Sequence, residues 1–156
     1  MSRYQSGSKL PNQDDWFKEQ FYATMDYLYQ NGKPSLSLQF VLNRYIDAHG
    51  EEGKNKILNE FGWDTDRLRR YCNGSVPSVK TYKTLIKICI IIELGYDDAW
   101  QLMINCGFPP NDLDSDLKEK KDKRAHYAIL KHIDMFRGSI EKCNNFLREN
   151  GFSTLD

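Results

Sequence analysis

The sequence predicts an all-α protein, and three observations carry that expectation. Apolar residues recur at three- and four-residue spacing through most of the chain, the period of a helix with one buried face. Single glycines stand just beyond these runs, at Gly50, Gly62, Gly74, Gly95, Gly107 and Gly151, where helices commonly stop. The apolar run around 88–94 has the composition of a strand, but the sequence offers no second strand to pair with it.

The elements follow in order. Residues 1–13 are polar and contain Gly, Pro and Ser, the composition of a disordered tail. From Asp14 to about Gln30, Trp16, Phe17, Phe21, Met25 and Leu28 form an amphipathic stripe, with Asp14 and Asp15 at the positive end. Asn31-Gly32-Lys33-Pro34 ends that helix. A second, from about Ser37 to Ala48, buries Leu38, Val41, Leu42, Tyr45 and Ile46.

Two short helices follow, near 53–61 and 65–73, folded about a turn at Gly62-Trp63. Ile57, Leu58 and Phe61 give the first its apolar face, and Leu68 and Tyr71 give the second its own. Ser78 is a suitable cap for a longer helix at about 79–94, apolar on two sides and therefore central. Residues 97–105 form another, burying Trp100, Leu102 and Met103. Phe108-Pro109-Pro110-Asn111 marks an internal boundary, dividing a helical domain at 14–108 from an extension at 109–156. The extension carries helices near 115–136 and 140–149. Trp16, Trp63 and Trp100 occupy positions expected to face the core.

Composition narrows the function. With 156 residues, 40% of them hydrophobic and 13% aromatic, the chain can bury a core. Cys72, Cys89, Cys106 and Cys143 lie far apart with no CxxC pair, so neither a zinc framework nor a disulfide scaffold is expected. His126 and His132, six apart, fall on different faces of one helix and do not chelate together; His49 sits where it can cap a helix end. Asp112, Asp114 and Asp116 lack the Gly and closing Glu of a calcium loop. No Gly-rich phosphate loop or nucleophile-base pairing is evident, so the sequence points to a binding protein without cofactor or metal rather than an enzyme. The opening residues carry no apolar signal segment, and the longest apolar run, at 88–92, is too short for a bilayer. A cytoplasmic protein with no membrane partner is the expectation.

Formal net charge is zero, yet charge is unevenly placed. Residues 54–87 carry eight Lys/Arg against three Asp/Glu, whereas residues 88–118 carry one against six. The basic segment contains the two short helices. There Arg67, Arg69 and Arg70 lie on a helix whose back is Leu68 and Tyr71. A short helix with an apolar back and basic front, propped on a preceding helix, suits the major groove of DNA.

From Leu38 to about Leu94 the chain resembles the lambda-repressor/Cro-like (XRE-type) helix-turn-helix family. The resemblance rests on Ile57-Leu58-Asn59-Glu60-Phe61-Gly62-Trp63, then Asp64 through Asn73 closing on Gly74, with Pro77-Ser78-Val79, Leu85, Ile88 and Leu94 beyond. Leu58 stands where the family has a small residue, and no Gln opens the first motif helix. Residues 95–155 are similar to a tail of some bacterial members: a helix ending in Gly107-Phe108, an acidic linker and two further helices. The implied architecture is a lambda-repressor-like helix-turn-helix bundle with an extra N-terminal helix and a two-helix C-terminal extension.

The resemblance also implies roles. Base-reading positions fall on Thr65, Asp66, Arg67 and Arg70, and phosphate-contacting positions on Lys54, Arg69, Lys80 and Lys83. Double-stranded operator DNA is the implied partner, with a homodimer made through the C-terminal helices. Asp66 fits least, because a carboxylate repels phosphates and its natural base partner is the cytosine amino group. Read without the resemblance, the arginines make a solvated helix face with Asp64 and Asp66 as N-terminal caps. A protein-binding scaffold, antitoxin-like or inhibitor-like and using the acidic 93–116 segment, is the alternative function.

Overall fold

The computed structural model describes residues 13–27, 36–109 and 118–156, and every regular element among them is helical. Of the tail expected at 1–13, residues 1–12 lie outside the described residues and Gln13 opens a helix; the stop at 31–34 and the acids Asp112, Asp114 and Asp116 also lie outside them. The chain divides into two compact units, Met1–Ser35 and Leu36–Asp156.

In the first unit, α1 spans Gln13–Tyr27. Phe17 and Phe21 stack with ring centroids 6.1 Å apart, at the spacing that places i and i+4 on one face. Of the stripe, Trp16 and Phe21 are each 51% exposed, while the side chains of Met25 and Leu28 lie outside the described residues. The expectation that Trp16 faces the core is thereby corrected. Helical period gives a stripe its direction and does not supply a surface to cover it.

The second unit begins with α2, Leu38–Phe61, capped where the Ser37 hydroxyl accepts from the Phe40 amide at 3.0 Å. Gly50 breaks it into two limbs, with φ 65° and ψ −147°, a conformation that favours glycine. The limbs lie close, since a Cβ on Gly53 would sit 2.7 Å from His49 Cβ. The His49 ring lies tilted against Tyr45, with centroids 4.4 Å apart. Gly62, left-handed at φ 69°, ends α2. Helix α3, Thr65–Cys72, then starts at Asp64, whose Oδ1 accepts from the Arg67 amide at 2.8 Å.

Helix α4, Tyr82–Ile91, is the centre of the unit. Leu85, Ile86, Ile88, Cys89, Ile90 and Ile91 are all buried, too broad a face for one neighbour. It packs against α2 and against α5, Tyr96–Asn105. It also meets α6 (Lys118–Ile129), a 3₁₀ segment (Leu130–Phe136) and α7 (Ile140–Glu149). Two expectations need correction here. The cap of α4 is Thr81, which accepts from the Thr84 amide at 3.2 Å; Ser78 instead turns its hydroxyl to the Cys106 carbonyl, 3.4 Å away. The long helix expected to reach residue 136 gives way at 130 to the tighter 3₁₀ segment, with His132 non-helical at φ −130°.

The step into α7 uses two consecutive left-handed residues, Arg137 at φ 49° and Gly138 at φ 74°. A Cβ on Gly138 would overlap the Lys56 side chain and come within 3.3 Å of the Ile91 carbonyl oxygen. Gly138→Ala is therefore expected to cost about 1–2 kcal/mol in denaturant titration, from the left-handed penalty and the backbone contact. Arg137→Gly removes the same kind of penalty next door and should change stability by under about 1 kcal/mol. A Gly138→Ala loss no larger than the left-handed penalty of about 1 kcal/mol would show that the close approach at Gly138 does not matter.

Candidate nucleic-acid interface

Helix α3 is seated by its back and presents its front. Leu68 and Tyr71 are buried, whereas Thr65, Asp66, Arg67, Arg69 and Arg70 are exposed. Both ends are fixed. Asp64 caps the N-terminus, and Asn43 of α2 donates from Nδ2 to the Cys72 carbonyl at 2.8 Å, satisfying an otherwise open C-terminal acceptor. Asn43 was invisible to local sequence patterns, being 29 residues from its partner.

Each arginine has a specific support. Arg67 lies over the Trp63 ring, 5.0 Å from its centroid, and Trp63 itself stacks on Phe61 at 4.2 Å and meets Tyr71 at 5.0 Å. Arg69 donates from Nη2 to Asp66 Oδ1, while Arg70 Nε lies 3.3 Å from Asp66 Oδ2. The hydrogen bond and charge of Arg69 hold the Asp66 carboxyl below the usual range; burial opposes them, and the charge of Arg70 adds a lesser downward pull. These are exposed pairs, so they orient side chains more than they stabilise the fold.

The phosphate candidates fall into two depressions that share no lining residue. Lys54, Thr65, Asp66 and Arg69, with Asn43 and Cys72, line one of about 390 Å³ between α2 and α3. Burial pushes the Cys72 thiol up, with the Lys54 charge acting the other way, so it is no ready nucleophile. Lys80 and Lys83 line the second, of about 560 Å³, at the start of α4. Lys87 joins them there, four residues beyond Lys83 and unforeseen, together with Thr81, Thr84 and Asp156.

Other chemistry is sparse among the described residues. No group of three His, Cys, Asp or Glu side chains converges as metal ligands would. Burial pushes the Cys89 thiol strongly upward and the Cys143 thiol to about 12. His126 is fully buried between the Tyr82 hydroxyl and the Ser153 carbonyl. No described helix is long and apolar enough to cross a membrane. Of the acidic segment, Asp98 lies 3.6 Å from Arg44 of α2.

Comparison with protein-family models, curated proteins and solved structures returns no match. The case for function therefore rests on the residues of α3 and the lysines near it.

Proposed function

We propose that the chain is a sequence-specific, DNA-binding transcriptional regulator with a lambda-repressor-like helix-turn-helix bundle. In this reading the second limb of α2 and α3 form the motif, joined through Gly62, Trp63 and Asp64. The observation that carries it is the two-sidedness of α3: Leu68 and Tyr71 inward, Thr65, Asp66, Arg67 and Arg70 outward, with both helix ends capped. Such a helix enters the major groove with its front on base edges. Lys54, Arg69, Lys80 and Lys83 then hold phosphates, and Lys87 extends the second cluster.

A homodimer through the C-terminal helices fits the same reading. Around an apolar depression of about 250 Å³, Met135 and Phe146 remain 57% and 38% exposed. Two-fold pairing there would present two copies of α3 to half-sites about one helical turn apart. Operator DNA places the protein in the cytoplasm. The second reading, a protein-binding scaffold, is favoured by one observation: Asp66 engages two of the three arginines in a chain of zero net charge.

Selection of duplexes from a random DNA library, followed by gel shift at two salt concentrations, separates the readings. Arg70→Ala is expected to lose about 1–3 kcal/mol of discrimination at one base pair. Lys83→Ala should weaken binding to all duplexes and flatten the log affinity against log salt slope by about 0.9. Binding unaffected by both substitutions, or a stoichiometric protein partner without DNA, would end the regulator reading.

A further inference from the structure

We propose that Asp66 is a specificity-determining residue, a carboxylate clamp that turns Arg70 end-on toward guanine; this rests on the DNA-reading function above. The geometry is that of one carboxylate holding two guanidiniums, three and four residues further along α3. Asp66 Oδ2 occupies the Nε edge of Arg70, at 3.3 Å. An arginine can meet guanine O6 and N7 through its Nε side or through its two terminal nitrogens. With Nε engaged, the terminal pair is the edge left to face the base. Arg69 is held by Oδ1.

The clamp has two opposed consequences. It places a negative charge among groups that meet phosphates, which weakens binding to any DNA. It also fixes one rotamer of a long side chain, so that less freedom is lost when guanine is bound and the wrong base leaves the oriented donors unpaired. Of the about four lone-pair sites of an ionised carboxylate, Arg69 takes one by hydrogen bond and Arg70 Nε lies beside another as an ion pair. The remainder can accept from an exocyclic amino group next to the guanine, cytosine N4 or adenine N6. Asp66 is thus the residue that exchanges general affinity for base selectivity. The helix does not depend on it as a cap, because Asp64 holds that place.

The experiment uses the full chain and a duplex selected from a random library, with its guanine replaced pair by pair, beside a random-sequence duplex. For Asp66→Ala, binding to random DNA should tighten several-fold, while the penalty for replacing the guanine falls from about 5–150-fold toward unity. Asp66→Asn, which keeps one acceptor, should lie between. In an Arg70→Ala background the same change should leave the guanine penalty unaltered. If Asp66→Ala raises affinity for all duplexes equally and keeps the guanine penalty, the clamp is refuted while DNA reading stands. A wild-type chain that selects no base overturns both, and one that selects bases without a guanine overturns the clamp alone.

Discussion

Replacing Leu68 with alanine should cost about 2–5 kcal/mol of stability and, on the proposed DNA-reading function, abolish tight DNA binding with it. Helix α3 has eight residues, too short to persist in water without packing. Its hold on the rest of the unit comes from Leu68 and Tyr71, and Leu68 is 1% exposed. Truncation removes the transfer energy of three heavy atoms and leaves a cavity that a helix fixed at both ends cannot readily fill. Against a total stability of about 5–15 kcal/mol, that is a large share. Arg70→Ala gives the contrast: it is half exposed, and its stability should change by under about 0.5 kcal/mol while base discrimination falls. Urea titration and gel shift on both variants make the test. A loss below about 1 kcal/mol for Leu68→Ala would mean that α3 is not seated by this side chain.

The seating of α3 was legible in the sequence because it depends on local periods. Leu68 and Tyr71, the stop at Gly62 and the acid at 64 lie within one short segment, and their spacing alone set the helix and its inward face. The expected bounds of α7 were equally close, with Ser139 capping through the Lys142 amide at 3.1 Å. What escaped was decided across the fold. Ser78 and Thr81 are equally good cap types, and the choice fell to Thr81 while the Ser78 hydroxyl turned to a carbonyl 28 residues away. The break at residue 130 has no glycine or proline to announce it. The 3₁₀ segment packs against α4, α5, α6 and α7 at once, and its backbone tightens where those contacts converge.

The candidate site shows the same division. Residue types on the front of α3 could be read from sequence, and so could the i+3 and i+4 spacing that joins Asp66 to Arg69 and Arg70. Family positions draw Asp66 toward a base and its spacing draws it toward Arg69 and Arg70, which its carboxylate meets in the folded chain. Asn43 beneath the end of α3 and Asp156 beside Lys80 and Lys83 depend on chain segments far apart, so no period could reveal them.

Acid should weaken the fold below about pH 6.5, and His126 should be the cause. Its ring is fully buried, with Nε2 2.7 Å from the Ser153 carbonyl oxygen and Nδ1 2.9 Å from the Tyr82 hydroxyl. A carbonyl only accepts, so Nε2 carries the proton and Nδ1 accepts from Tyr82. Burial pushes the imidazole down from its ordinary value. The hydrogen bond to Ser153 opposes that, the charge of Lys83 adds to it, and Asp122 opposes it. A lowered folded value means that the unfolded chain binds the extra proton first as pH falls. Stability is therefore complete above the unfolded value and declines below it, by at most about 1.4 kcal/mol per pH unit, until the folded ring also protonates. Asp66, lowered instead, loses its contribution only in the carboxylate range, so urea titrations between pH 7 and 5.5 isolate the histidine. His126→Gln should be less stable at pH 7 but clearly flatter than the wild-type chain across that window. An equally steep slope in His126→Gln would show that another group takes up the proton. The effect reaches the second basic depression, because Leu155 and Asp156 of the segment that His126 ties at Ser153 line it beside Lys80 and Lys83. A lower protection factor for the Leu155 amide on acidification, taken relative to its intrinsic exchange rate at each pH and absent in His126→Gln, would place the loosened contact there.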